Sequence, residues 1–407
     1  MLRKVIFWVH LTCGVAAGLV IGMMSVTGVL LAFERQIVAW ADSAPRASLS
    51  AARARLTIDE ALRAVAQARP DFSPTAVTLS RDPRAPLVVT AGRNRSLFVD
   101  PYTGDVAEPA GQRARAFFEA VEGWHRWFNV TGDRRVIARG VTGACNLAFL
   151  FLVLSGVYLW LPRAWAWTAL KTRLLFNRFA VSAKARDFNW HHVFGIWSAV
   201  PLAIIVASAV VMSYPWANTL VYRAFGEQPP MRGGNRAEGV EPVRGNGAAR
   251  ATDSLPRGDA AAPNGSTPSV ALKTYDELFA RAAAEAGAWR TLTLTLPASV
   301  NIDTVRLGVD RGDGGQPQLR DNLVLEAATG AVRARQPFAS QSPGQRTRSW
   351  IRFLHTGEAL GITGQVVASA ASLASLVMIW TGLALAYRRL VAPIFVRRSK
   401  PGSGAAA

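Results

Sequence analysis

Four stretches of the chain, Val5–Phe33, Gly140–Pro162, Phe188–Tyr222 and Ala359–Tyr387, contain no Asp, Glu, Lys or Arg. Crossing a hydrocarbon layer of roughly 30 Å takes about 20 helical residues, and buried helices of soluble proteins seldom stay uniformly apolar beyond about 14. The pattern predicts four transmembrane helices. The polar stretches between them follow other periods. Leu56–Leu62 starts an amphipathic helix with Thr57 as N-cap and Glu60 three residues on, a capping-box pattern, and the helix should end by Arg69-Pro70. Ala76–Leu79, Leu87–Thr90 and Ser96–Asp100 read as strands between turn residues, and Asp100-Pro101-Tyr102-Thr103-Gly104-Asp105-Val106 turns into another.

The same order returns in the second half. Thr274–Phe279 opens a helix, Thr291–Leu296 and Thr304–Val309 read as strands, and Leu323–Val332 carries a second Thr-Gly hairpin. Residues from about Glu227 to Thr267 are rich in Gly, Pro, Ala, Arg and Asn and read as a flexible linker. The expected boundaries are span 1 in 1–38, an outer domain in 39–122 and an outer His segment with span 2 in 123–162. A basic loop in 163–187 and span 3 in 188–222 follow. The linker in 223–268, a second outer domain in 269–345, a His segment with span 4 in 346–388 and a tail in 389–407 complete the chain.

Net charge is +19, but position argues against nucleic acid as its cause. Thirteen Lys and Arg against the single acid Asp187 fall in the N-terminus, the loop after span 2 and the C-terminus, about +12 of the total. The positive-inside rule puts these three segments in the cytoplasm and both long polar segments across the membrane. The first apolar run is too long for a signal-peptide core and reads as a retained span. Cys13 and Cys145 lie at opposite depths, too far apart to bond, and read as apolar packing. The chain contains no Cys-X-X-Cys-His, so covalent haem attachment is excluded.

The chain has five histidines, and their placement repeats. Phe7-Trp8-Val9-His10 is followed by Gly14, and Phe188-Asn189-Trp190-His191-His192 by Gly195, so a Phe three before and a Gly four after frame both His10 and His191. His125 and His355 each precede the next span, which ends in Leu154-Ser155-Gly156 or Trp380-Thr381-Gly382 followed by apolar residues. His10 to His125 is 115 residues and His191 to His355 is 164; the excess nearly equals the linker, as a duplication with one insertion requires. Imidazole is a good axial ligand for haem iron. The expected pairs are His10 with His191 near the cytoplasmic face and His125 with His355 near the outer face, holding two haems b. Adjacent helical residues point about 100° apart, so His191 and His192 cannot share one iron, and His192 is the neighbour, facing a propionate or another helix. Arg126 and Arg352, with Arg139 and Arg348, are candidates to neutralise propionates or boundary arginines. Trp124, Trp127 and Trp350 read as interface anchors. Gly14, Gly18 and Gly22 line one face of span 1, suiting either a planar cofactor or close helix packing. There is no Gly-x-Gly-x-x-Gly after a strand, no Walker loop and no His-Glu-x-x-His.

The helix with its Thr-Gly hairpin resembles a PepSY domain. Four spans, two such domains, the Trp-His entry to span 3 and the His125-Arg126-Trp127 run before span 2 resemble the PepSY-associated transmembrane family. That family comprises iron-regulated membrane proteins and includes inner-membrane ferrisiderophore reductases. The resemblance implies an α-helical membrane protein of the bacterial inner membrane with two small α+β periplasmic domains and both termini cytoplasmic. It also implies a ferric siderophore or other ferric chelate as acceptor, with quinol or a cytoplasmic reductase as electron donor. Against this reductase stands a second reading, a lipid-embedded anchor whose PepSY-like domains bind a peptide or protease without redox activity. A transport component is the third, and no mid-membrane charge favours it.

Overall fold

A computed structural model describes residues 1–42, 54–92, 95–162, 166–230, 274–296 and 303–394. The linker expected from Glu227 onward lies outside the described residues from 231 on. The chain opens with α1 (Leu2–Leu31) and α2 (Glu34–Ala41), then α3 (Ile58–Ala68) and strands β1 (Ala76–Ser80), β2 (Leu87–Ala91), β3 (Arg95–Val99) and β4 (Val106–Ala107). Helices α4 (Gln112–Trp127), α5 (Arg134–Trp160), α6 (Trp167–Leu174), α7 (Ala183–Ser213) and α8 (Pro215–Arg223) follow. The second half adds α9 (Tyr275–Ala286), β5 (Thr291–Thr295), β6 (Thr304–Asp310), β7 (Arg320–Glu326), β8 (Val332–Pro337), α10 (Pro343–Thr356) and α11 (Gly361–Leu390).

Among the described residues four helices are long and apolar enough to cross a membrane, and they are α1, α5, α7 and α11 with its flanks. They form a ring in which α1 and α7 each pack on both α5 and α11. Both long connections leave the bundle at one end, the sheet end; the loop carrying α6 leaves at the other, the basic end. The third apolar run is not one helix. It breaks at Tyr214, whose backbone is extended (φ −117°, ψ 123°) because Pro215 follows and starts α8 at a position where its missing N–H costs nothing.

The two small α+β units between the spans are joined edge to edge. Their strands make one antiparallel sheet in the order β4-β3-β2-β1-β5-β6-β7-β8. The join is β1 against β5, with Val77 opposite Leu294 and the Thr78 and Thr293 hydroxyls 2.9 Å apart. Each half would otherwise leave its first strand as an unpaired edge, and pairing the two edges satisfies both backbones. Alternation along the strands puts Val77, Leu292, Leu294, Leu307 and Leu323 on one face, where α3 and α9 cover them in a single core. Both helices begin with the same capping box, Thr57 with Glu60 and Thr274 with Glu277. Asp276 ties them by accepting the Ile58 N–H at 2.9 Å. The Thr-Gly hairpins turn through Gly104 (φ 79°) and Gly330 (φ 69°), a left-handed conformation that glycine alone adopts freely.

Candidate functional site

The four paired histidines come from four helices and sit at two levels. At the basic end, His10 of α1 lies beside Ser155 of α5, Nδ1 to Oγ 2.8 Å. His191 of α7 lies beside α11, Nδ1 to Thr381 Oγ1 3.0 Å and to Met378 O 3.1 Å. At the sheet end, His125 of α4 lies beside Thr27 of α1, Nδ1 to Oγ1 2.9 Å. His355 of α10 lies beside α7, Nδ1 to Ile205 O 2.9 Å and to Ser208 Oγ 3.2 Å. From His10 to Thr27 and from His191 to Ser208 is 17 residues in each case, about 25 Å of helix rise.

The direction of these hydrogen bonds is fixed by the partners. Each hydroxyl donates its own proton to its helix backbone: Ser155 to Phe151 O (2.6 Å), Thr27 to Met23 O (2.7 Å), Thr381 to Val377 O (2.8 Å) and Ser208 to Ile205 O (2.7 Å). The Met378 and Ile205 carbonyls can only accept, so His191 and His355 carry the proton on Nδ1 and present a bare Nε2. Where Ser155 and Thr27 give their protons to their own helices, His10 and His125 carry theirs on Nδ1 as well. That is the tautomer a metal ligand needs, held by a partner on the second ring nitrogen.

The His125 and His355 rings stand 6.3 Å apart between centroids with planes at 65°. Two imidazoles bound to one metal through Nε2 stand about 6 Å apart, given metal–nitrogen bonds of about 2 Å. The donor set also discriminates between metals. Among the described residues no three His, Cys, Asp or Glu side chains gather as a metal site. A pair alone cannot complete the tetrahedron of zinc, but His125 and His355 would supply the two protein ligands that a haem needs, its other four donors belonging to the macrocycle. The residues present fit haem b.

Glycines seat the basic-end rings. A Cβ on Gly156 would lie 3.5 Å from His10 Cε1, and one on Gly382 would lie 3.3 Å from His191 Cε1. Gly14 and Gly195, which framed the repeat, face Leu152 and Met378, while Gly18 and Gly22 face Ile379, with Leu383 also against Gly18. Gly14, Gly18 and Gly22 thus serve close helix packing, whereas a Cβ on Gly28 of the same helix would lie 3.5 Å from His125 Cε1. His192 stands 6.4 Å from His191 between ring centroids, but its Nδ1 donates to Phe188 O in its own helix (2.9 Å), and the Phe188 ring lies 4.1 Å from it.

The sheet-end arginines divide. Arg126 pairs with Glu122 at 2.6 Å and lies 4.8 Å from the Trp127 ring. Arg348 bonds Asn218 at 2.8 Å. Arg352 is exposed and lies 5.6 Å from the Phe353 ring, which Arg35 and Arg320 also approach, at 6.0 and 5.5 Å. Three carboxylates, Glu34, Glu122 and Glu358, interact at the sheet-end mouth. Burial, then Glu122 and Glu358, raise the Glu34 carboxyl above its usual range against the pull of Arg35.

Carboxylates also hold the helices that carry the sheet-end pair. Asp42, after α2, accepts the Gly111 N–H (2.9 Å) and Arg115 (2.8 Å) at the start of α4. Glu227, after α8, accepts the Gly344 N–H (3.0 Å) and the Ser342 hydroxyl (2.5 Å) at the start of α10. The two halves use one device twice.

The family model of the PepSY-associated TM region matches residues 7–389. The chain belongs to that family. Comparison with curated proteins gives no match. In this PepSY-associated protein the hydroxyl partners Ser155, Thr27, Ser208 and Thr381 escaped the reading of the sequence. Ser155 and Thr381 occupy equivalent places before Gly156 and Gly382, and Thr27 and Ser208 follow their histidines at equal spacing. That spacing was the available signal.

Proposed function

We propose that this protein is a haem b membrane reductase that carries electrons across the bacterial inner membrane to a ferric siderophore or similar ferric chelate. The observation that carries the reading is the pair His125 and His355, 6.3 Å apart with both Nδ1 atoms bonded to the protein. His10 and His191 are likewise bonded to the protein through Nδ1, about 25 Å of helix rise away. Haem b, once bound, supplies a one-electron carrier at each level. The chain's own residues hold the rings neutral, fix their tautomer and shield them in an apolar bundle, while Arg126 and Arg352 stand beside the sheet-end pair where propionates need cations. The basic segments favour a cytoplasmic basic end, which places the sheet in the periplasm. Reduction of Fe(III) to Fe(II) weakens oxygen-rich chelates, and the family's ferrisiderophore reductases support that acceptor. Quinol or a cytoplasmic reductase is the donor class.

The test is an absorption spectrum of the detergent-purified protein from haem-replete cells. The expected result is a Soret band with sharp reduced α and β bands, followed by reoxidation when a ferric chelate is added to the reduced protein. Colourless protein rejects the haem assignment; coloured protein that the chelate leaves reduced rejects the acceptor.

A further inference from the structure

The basic end carries a feature that electron transfer does not use. On the outward side of α1, Met1, Lys4, Val5, Trp8 and Val9 share one open face. It continues into a shallow groove against α11 lined by Trp8, Leu11, Thr12, Val15, Ala16 and Leu390. Lys4 to Ala16 spans 12 residues, about 18 Å of rise, close to the roughly 15 Å depth of one leaflet's hydrocarbon. Lys4 lies on this face and Arg389 lies over Trp8 beside it. Arg388 and Arg389, adjacent at the end of α11, have different fates. Arg388 is neutralised by the buried Asp187 at 2.6 Å. Arg389 is exposed, makes no ion pair among the described residues, and lies over the rings of Phe7 (4.7 Å) and Trp8 (5.2 Å). Lys4 is likewise exposed with no acidic partner among the described residues.

We infer that this groove binds an anionic phospholipid, with its phosphate headgroup between Lys4 and Arg389 and one acyl chain along Trp8, Leu11 and Val15. Charge complementarity selects the occupant. Two cations held at the membrane surface without acids attract a net-negative headgroup, whereas a zwitterionic headgroup or a quinol brings no net charge. The groove's length matches a chain that starts at the interface and ends near the bilayer midplane. Arg389 stacked on Trp8 keeps its guanidinium at the rim rather than extended into solvent.

The test is native mass spectrometry of the full-length protein in detergent, titrated with dioleoyl phosphatidylglycerol or dioleoyl phosphatidylcholine. The expected result is at least about fivefold higher occupancy of the anionic lipid at equal concentration. Lys4→Gln with Arg389→Gln should bring occupancy to the zwitterionic level. Ala16→Trp, which leaves both cations and fills the apolar stretch, should also lower it. Lys184→Gln, on the same end outside the groove, should leave the preference unchanged. Equal binding of the two lipids by the parent protein overturns the inference, as does a preference that survives the double substitution in a variant that elutes as a single folded species. A quinone recovered from the groove in place of phospholipid overturns it too.

Discussion

The two histidine pairs use the same chemistry but depend on different parts of the molecule. His10 and His191 belong to the spans α1 and α7, and their hydroxyl partners belong to the spans α5 and α11. The bundle alone builds that level. His125 and His355 ride on α4 and α10, outside the four spans, and reach back to Thr27 and Ser208. Their placement requires the reversal after α4 at Phe128 and Asn129, both at positive φ (54° and 53°), and the caps from Asp42 and Glu227. It also requires a sheet docked through its β6–β7 loop, where Arg35 donates to Asp313 O and Gln318 donates to Ala359 O, each at 3.4 Å. A site made of continuous helices should survive injury to the polar part of the chain. A site hung from that part should not.

The sharpest break in this comparison is loss of a ligand. His10→Ala and His355→Ala should each remove about half of the haem per chain, measured as pyridine haemochrome against protein. Only His355→Ala should also cut reoxidation of the reduced protein by an added ferric chelate by at least about tenfold, because it removes the level nearest the acceptor. Equal slowing by both variants would show that the levels do not act in series. A milder break is Leu307→Ala in the sheet core, where a fully buried leucine leaves a cavity costing about 2–5 kcal/mol. Redox titration should show the sheet-end haem weakened and the basic-end haem unmoved.

The hydroxyls sharpen the comparison level by level. Thr27→Val takes the hydroxyl partner from His125 Nδ1, and Ser155→Ala does the same to His10. Each should lower affinity at its own level by about 10–100-fold, the usual effect of losing a ligand's outer partner. A shift at both levels in either variant would contradict separate sites. The carboxylate ties come next: Asp42→Ala, which removes the acceptor of the Gly111 N–H and of Arg115, should cost about 1 kcal/mol and raise hydrogen exchange at the start of α4. The same measurement should find α1 and α7 unchanged.

How much of this was legible follows from the range of each signal. The spans were, because a charge-free run is a local property; so was the capping box at Thr57, whose donor and acceptor lie three residues apart. His10 and His191 stood out because a Phe and a Gly frame both in the chain itself. The β1–β5 join was not legible. It unites strands some 215 residues apart, and Thr78 and Thr293 each read as ordinary strand positions until they meet. The hydroxyls lay between these cases. Ser155 and Thr381 were visible as matching residues, but helix similarity explained them equally well, and only the Nδ1 contacts separate the two meanings. The break at Tyr214-Pro215 was written in the chain but hidden by uninterrupted apolarity.

The smallest expected effect concerns charge, and it too divides the ends. The basic end carries Lys4 and Arg389 without ion pairs among the described residues, whereas the sheet-end mouth gathers Glu34 with Glu122 and Glu358, the last two paired with Arg126 and Arg35. The Glu34 carboxyl is raised in the folded protein, first by burial and then by its two acidic neighbours, so ionising it opposes folding. The sign follows by linkage. The penalty is complete above the raised folded value, shrinks as pH falls through it, and vanishes below the ordinary carboxylate value, where folded and unfolded chains are both protonated. Glu34→Gln removes the charge at every pH. It should raise the thermal midpoint by about 1 °C at pH 7.5, and the gain should fade on acidification. The half-exposed position keeps the effect small, since solvent screens it. A variant less stable than the parent at pH 7.5 would mean that attraction to Arg35 outweighs the repulsion, and the sheet-end mouth would then be a balanced cluster rather than an acidic one.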